Sequence, residues 1–307
     1  MKNISIGNGK IMGSEIALGC MRMASLSKAE AEKVIKLSLE EGINFFDHAD
    51  IYGGGKSEEI FADAINMSSA IREKMIIQTK CGIVSGKMYD FSKGHILDSV
   101  EGSLKRLKTD YVDALLLHRP DTLMEPEEVA EAFTKLHDSG KVKYFGVSNQ
   151  NSMQIELLNK YLGDNNIIIN QLQFGVMHTG IIDSGINVNM KVDRSIDRDG
   201  SILEYCRLKD ITIQAWSPYQ YGFFEGVFLG NEKFPKLNKK IDELAEKKGV
   251  TNTTIATAWI LRHPAKIQTI IGSMNTNRIK DICKASNVEL TREEWYEIYL
   301  AAGNSLP

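Results

Sequence analysis

The chain has 307 residues, 43% of them hydrophobic and 25% charged, and a net charge of −3. This is an ordinary soluble composition, with no global pull toward nucleic acid or anionic membrane. Four scattered cysteines without CxxC spacing, no signal-peptide core and no apolar run near the roughly 20 residues of a membrane span predict a reduced cytoplasmic protein without a metal site or disulfide scaffold.

In chain order, residues 4–11 alternate around Gly7-Asn8-Gly9 and predict a small hairpin. Ile16-Ala17-Leu18-Gly19 is a short strand. A helix over 28–41 puts Ala31, Val34, Ile35 and Ser38 on one face and stops at Gly42. The Phe45–Asp47 strand follows, then a helix over 57–66 and a strand from Met75 to Lys80. Residues 93–107 form the clearest helix, with Ile96, Leu97, Val100, Leu104 and Leu107 at helical period and Ser92 as N-cap. Val112 to Leu117 is a buried strand ending at His118. A helix covers 126–138, and a strand over 144–147 ends at Ser148-Asn149. A helix over 151–161 leads to a strand over 167–172, an irregular polar stretch at 175–199 and a helix at 201–209. The strand from Ile211 to Trp216 runs into Ser217-Pro218 and a Gly- and Phe-rich loop, 219–234. Helices at 236–248 and 252–262 precede the last strand, Ile267 to Ile271, which meets Gly272-Ser273. Helices at 276–285 and 291–300 complete the chain.

Eight strands alternating with helices imply a parallel sheet, because parallel strands need crossover connections. One βα unit per strand over this length predicts a (β/α)8 barrel in one domain, 1–307, with an N-terminal hairpin and an extra C-terminal helix. A doubly wound sheet is the alternative, but GxGxxG is missing after the first strand. In a barrel, Asp47, Tyr52, Lys80 and His118 reach one rim from strands two, three and four. Each alone reads as a polar strand end. Together they suit acid/base chemistry. A lysine ammonium beside a tyrosine favours the phenolate and lowers its pKa from about 10. Asp47 keeps Lys80 charged and oriented, and His118 bonds the oxygen that Tyr52 protonates. Such a set reduces a carbonyl if a hydride arrives at carbon. No side chain donates hydride, so a cofactor is implied.

Two other readings carry less. Gly53-Gly54-Gly55-Lys56-Ser57 ends like a P-loop, but the required upstream glycine is Asp50. Lys80 as a Schiff-base lysine has to be neutral, which a paired Asp47 opposes.

The chain resembles the aldo-keto reductases over nearly its whole length. The matching stretches are 45–52 (Phe-Phe-Asp-His-Ala-Asp-Ile-Tyr), Gln78-Thr79-Lys80, 115–120 (Leu-Leu-Leu-His-Arg-Pro), Gly140-Lys141-Val142 with 145–149 (Phe-Gly-Val-Ser-Asn), Gln171-Leu172-Gln173, Ala215-Trp216-Ser217-Pro218, and Ile271-Gly272-Ser273 with Arg278. Within the family it is most similar to a bacterial group with His-Arg-Pro-Asp after strand four. The resemblance implies a (β/α)8 barrel that binds NADP(H) and reduces a small aldehyde or ketone, as a cytoplasmic monomer with no nucleic-acid or membrane partner. It makes Tyr52 the proton donor, tuned by Asp47 and Lys80, with His118 orienting the carbonyl. Ser148, Asn149 and Gln171 match residues that bond the nicotinamide carboxamide. Trp216 falls where an aromatic stacks on that ring, and Ser217 and Pro218 lie along the pyrophosphate. Gly19, Cys20 and Met21 fall beside the nicotinamide ribose, and Asp47 counts among the cofactor-binding positions as well. Gly272, Ser273, Arg278 and Asp281 mark the adenosine end, where many relatives have lysine in place of Gly272. The alternative on the same barrel is a slow cofactor-binding redox sensor. Substrate choice is expected in loops 119–125, 175–199 and 219–234 and in the C-terminal tail, with Phe223, Phe224 and Phe228 as an apolar wall.

Overall fold

The computed structural model describes residues 1–306. It opens with an antiparallel hairpin, Asn3–Ile6 against Ile11–Ser14. Eight strands then close into a barrel: Ile16–Gly19, Phe45–Asp47, Ile76–Cys81, Val112–Leu117, Val142–Ser148, Ile167–Gln173, Thr212–Trp216 and Gln268–Ile271, first to eighth in chain order. Every neighbouring pair is parallel. The ring closes where the eighth strand meets the first, with Thr269 beside Ile16 and Ile271 beside Leu18.

Side chains alternate across each strand and build two cores. Leu115 and Leu117 face the surrounding helices, whereas Ala114 and Leu116 face the barrel axis with Ala17, Phe45, Ile169 and Ile270. Ile6 and Ile11 of the hairpin join this inner cluster and seal the end from which the strands start. The Gly7 N–H donates to Thr212 Oγ1 (3.0 Å), pinning the hairpin tip to the start of the seventh strand.

The helices begin where local chemistry starts them. Ser92 caps Lys93–Leu107, accepting from the His95 N–H, and the helix buries Ile96, Val100, Leu104 and Leu107. Pro126 opens Pro126–Asp138, which buries Val129, Phe133 and Leu136. Phe133 stacks on Phe145 of the fifth strand with centroids 3.9 Å apart. No helix among the described residues is long and apolar enough to cross a membrane.

The departures from the sequence reading are local. The stretch expected to be irregular at 175–199 contains a helix, Gly180–Ile186. Its two glycines hide the periodicity, and burial of Ile181 and Ile182 overrides the weak propensity. Two short hairpins, Ile83–Val84 with Met88–Tyr89 and Gln220–Tyr221 with Gly226–Val227, form inside loops. The helix expected over 57–66 runs Lys56–Ala64, and Asn66 beyond it has a left-handed backbone.

Candidate active site

Asp47 ends the second strand and Lys80 lies in the third; both are buried. The Lys80 ammonium lies 2.7 Å from Asp47 Oδ1 and 2.8 Å from Oδ2. It also donates to the His48 carbonyl (2.8 Å) and to Tyr52 Oη (3.1 Å). Three acceptors from the second strand and its loop therefore converge on one cation. Gly53 and Gly54 (φ 60° and 65°) bend the chain just after Tyr52. A Cβ at Gly53 would lie 2.5 Å from Ala24 Cβ, so only glycine fits this turn. The glycine run is thus a turn that aims the phenol.

Beneath the pair lies a layer of buried amides from four strands. Gln78 Nε2 donates to Asp47 Oδ1 (2.6 Å) and to Gln214 Oε1 (2.9 Å). Gln171 Nε2 donates to the same two oxygens, each at 3.0 Å. Gln214 Nε2 passes the chain to Gln268 Oε1 (2.7 Å), and Gln268 Nε2 ends it on the Ser14 carbonyl (2.6 Å). Connected buried hydrogen-bond networks of this kind rigidify what they hold. Asp47 is therefore fixed from below by the barrel interior and from above by Lys80.

Burial, then Lys80 and Arg119, hold the His118 imidazole well below 6.5, so it is neutral at pH 7. Its ring meets the Tyr52 ring edge-on, with centroids 5.9 Å apart. Burial pushes Tyr52 up from 10, and Lys80 only partly opposes this. The expected lowering of the phenol is thus reversed, because loss of water outweighs one nearby cation. Burial alone would push Lys80 down, but Asp47 and Tyr52 outweigh it and its value rises above 10.5.

Asp50, two residues before Tyr52, is pushed up from 3.8 to about 6 by burial and then by Glu58. The folded chain holds this proton more tightly than the unfolded chain. Its contribution to stability is therefore full below pH 3.8 and lost as pH rises through about 6. Asp50→Asn is expected to raise stability at pH 8 by about 1–2 kcal/mol, allowing for partial exposure, and to change little at pH 4. Denaturant melts at the two pH values check this; an equal effect at both contradicts it.

One cavity of about 870 Å³ spans the rim and is lined by Asp47, Tyr52 and His118. Gly19, Met21, Ser148, Asn149, Gln171, Trp216, Ser217, Pro218, Gly272, Ser273 and Arg278 also line it. Of the site residues named from the sequence, Lys80, Cys20 and Asp281 do not, and Lys80 is fully buried behind Asp47 and Tyr52. Cys20 is fully buried with its Sγ toward the Leu18 carbonyl, and Asp281 pairs with Lys284 at 2.7 Å. Asn149 is occupied within the protein, donating to Ser148 Oγ (2.7 Å) and accepting from Trp216 Nε1 (3.0 Å). Asn149 and Ser217 both have left-handed backbones (φ 57° and 49°), strain of a kind that collects at functional sites. Phe223 and Phe224 flank the mouth, but Phe228 is core. None of 175–199 reaches this cavity; that stretch and the tail residues Ala302 and Asn304 surround a second one of about 390 Å³.

Arg22, Arg119, Asn252 and Thr253 also line the cavity, beyond the residues named for cofactor or catalysis. Arg22 Nη1 donates to the Gly272 carbonyl (2.9 Å). A Cβ at Gly272 would lie 3.3 Å from the same nitrogen, so the glycine leaves room for the guanidinium. The sequence signal for Asn252 and Thr253 was their place at the start of the Asn252–Leu261 helix, capped by Thr251.

A family model described as "Aldo/keto reductase family" matches residues 15–301. The uncharacterized oxidoreductase YcsN of Bacillus subtilis is 36% identical, over 96% of this chain and 96% of its own. The 6-dehydroglucose reductase of Agrobacterium fabrum is 35% identical, over 98% of each chain. An aldo/keto reductase from Klebsiella pneumoniae, solved with NADP and acetate, superposes with a TM-score of 0.77. It is 22% identical over 97% of this chain and 94% of its own, a likeness of fold. With the match over most of its length, this chain belongs to the aldo/keto reductase family.

Proposed function

We propose that the chain reduces the carbonyl of an aldehyde or ketone to an alcohol, with NADPH as hydride donor and Tyr52 as proton donor. The observation that carries this reading is the Lys80 ammonium bridging Asp47 and Tyr52 Oη (3.1 Å), with the neutral His118 ring beside the phenol. Tyr52 holds its proton at neutral pH and gives it to the carbonyl oxygen; Lys80 offsets the negative charge that develops on the phenol. His118 orients the same oxygen. NADPH, when bound, supplies the hydride to the carbonyl carbon. The 6-dehydroglucose reductase relative favours an aldehyde as substrate.

The cavity suits an NADP(H) molecule. Trp216 offers a flat indole for the nicotinamide, and Gln171 Oε1 has no partner within the described residues. At the other end Arg22, Ser273 and Arg278 gather at the capped start of the Thr276–Cys283 helix, a setting that favours a 2′-phosphate. Arg22 stands where the lysine of relatives is missing, its guanidinium against Gly272.

The test is absorbance-monitored oxidation of NADPH and NADH with a panel of aldehydes, ketones, dicarbonyls and quinones. Turnover that prefers NADPH is expected. Arg278→Met is expected to weaken NADPH binding by about 10- to 100-fold in fluorescence titrations, with a smaller effect on NADH. Equal losses for the two nucleotides would remove the 2′-phosphate assignment. Tight NADPH binding without turnover on any member would favour the redox-sensor reading.

A further inference from the structure

Arg119 immediately follows His118 at the end of the fourth strand and lines the cavity, half-buried. Its guanidinium makes no ion pair or hydrogen bond with any described residue. Asp121, the acid two residues on, is committed elsewhere: it accepts from the Phe91 N–H (3.0 Å) and the Leu123 N–H (2.9 Å). The guanidinium carbon lies 5.7 Å from the Trp216 ring centroid and 5.9 Å from that of Phe223. A planar cation is thus held between aromatic faces with its donor edge left over.

This placement has a cost. Arg119 shares the substrate end with the Lys80 ammonium and helps to hold His118 neutral. A half-buried guanidinium without an anionic partner has lost part of its hydration uncompensated, and an entering anion makes this good. The one carboxylate lining the cavity, Asp47, already belongs to Lys80. The cofactor phosphates are an unsuitable partner on geometric grounds. Arg22, Gly272 and Arg278 cluster where the first and eighth strands meet, and the fourth strand lies across the barrel from that junction.

We infer that the carbonyl substrate carries a carboxylate, and that Arg119 binds it while the carbonyl sits between Tyr52 and His118. This deepens the reductase reading and rests on it. A guanidinium fork matches a carboxylate with two parallel N–H···O bonds. The flanking aromatic rings limit water and strengthen the contact. The anchored anion then fixes the distance and face from which the carbonyl meets Tyr52.

The experiment compares 4-carboxybenzaldehyde with its uncharged methyl ester, methyl 4-formylbenzoate, in the wild type and in Arg119→Met. In the wild type, kcat/KM for the acid is expected to exceed that for the ester by about 10- to 100-fold, mostly through KM. In Arg119→Met the ratio is expected to fall to near unity, with Arg119→Lys between. Equal values for acid and ester in the wild type, or a ratio that survives Arg119→Met, overturns the proposal. So does a loss of NADPH affinity in the variant matching its loss on the acid, which would make Arg119 a cofactor contact. If no aldehyde turns over, the reductase reading fails separately. Calorimetric titration of the NADP+-loaded protein with 4-(hydroxymethyl)benzoate and its methyl ester still reads the contact. Acid-selective binding lost in Arg119→Met supports the proposal, and binding without that selectivity overturns it.

Discussion

Tyr52→Phe is expected to lower kcat for carbonyl reduction by about 10³-fold, within the range typical of losing a positioned general acid. NADPH affinity is expected to stay within about twofold, because the phenol contributes an O–H to the chemistry rather than an anchor for the nucleotide. The phenylalanine ring still packs edge-on against His118, and Lys80 keeps its bonds to Asp47 and the His48 carbonyl. The substitution therefore removes one hydroxyl, with the Lys80 bond to it, and leaves the surrounding packing in place. Since burial raises the Tyr52 value above 10, wild-type reduction should be flat through the neutral range and fall only in alkali, as the phenol ionises. Stopped-flow and steady-state rates for wild type and variant across pH 6–10 test both points. A variant within about tenfold of wild type would mean that water or His118 delivers the proton.

Lys80→Met is the second large effect, and it strikes stability as well as rate. Lys80 and Asp47 are almost fully buried against each other, and removing one partner strands the other charge. The expected loss is about 3–5 kcal/mol in urea melts at pH 7. Gln78 and Gln171 still donate to Asp47 Oδ1, but neutral donors do not replace an ammonium. Adding Asp47→Asn to Lys80→Met removes the stranded charge and is expected to recover most of the stability but none of the activity. Burial pulls the Lys80 value down, but Asp47 and Tyr52 lift it above 10.5 overall. The lysine's contribution is therefore full below its ordinary value and is lost as pH rises through the lifted one. A single variant that melts within about 1 kcal/mol of wild type would contradict the picture of a stranded carboxylate.

Much of the site could be read in residue order because barrel strands carry their chemistry at one end. Asp47, Ser148, Gln171 and Trp216 lie at strand termini or within the last turn of strand, and alternation of apolar runs with helical periods located those termini. The turn that aims Tyr52 was visible as a glycine run. Gln78, Gln214 and Gln268 were not visible as a group. Each is a lone amide in an apolar strand, and only closure brings the third, seventh and eighth strands to a common axis. Arg22 and Gly272 meet across 250 positions of chain, and no local pattern encodes such a pair.

Residue order alone specified the alternating strands and helices, the strand ends that carry acid/base groups and the turn at Tyr52, because these follow from spacing and backbone preference along the chain. The tertiary structure decided the amide layer under Asp47, the guanidinium that lies against Gly272, the unpaired Arg119 and the upward shift of Tyr52. Those depend on distance through space and on how much water each group loses, and both quantities come into being only when the barrel closes.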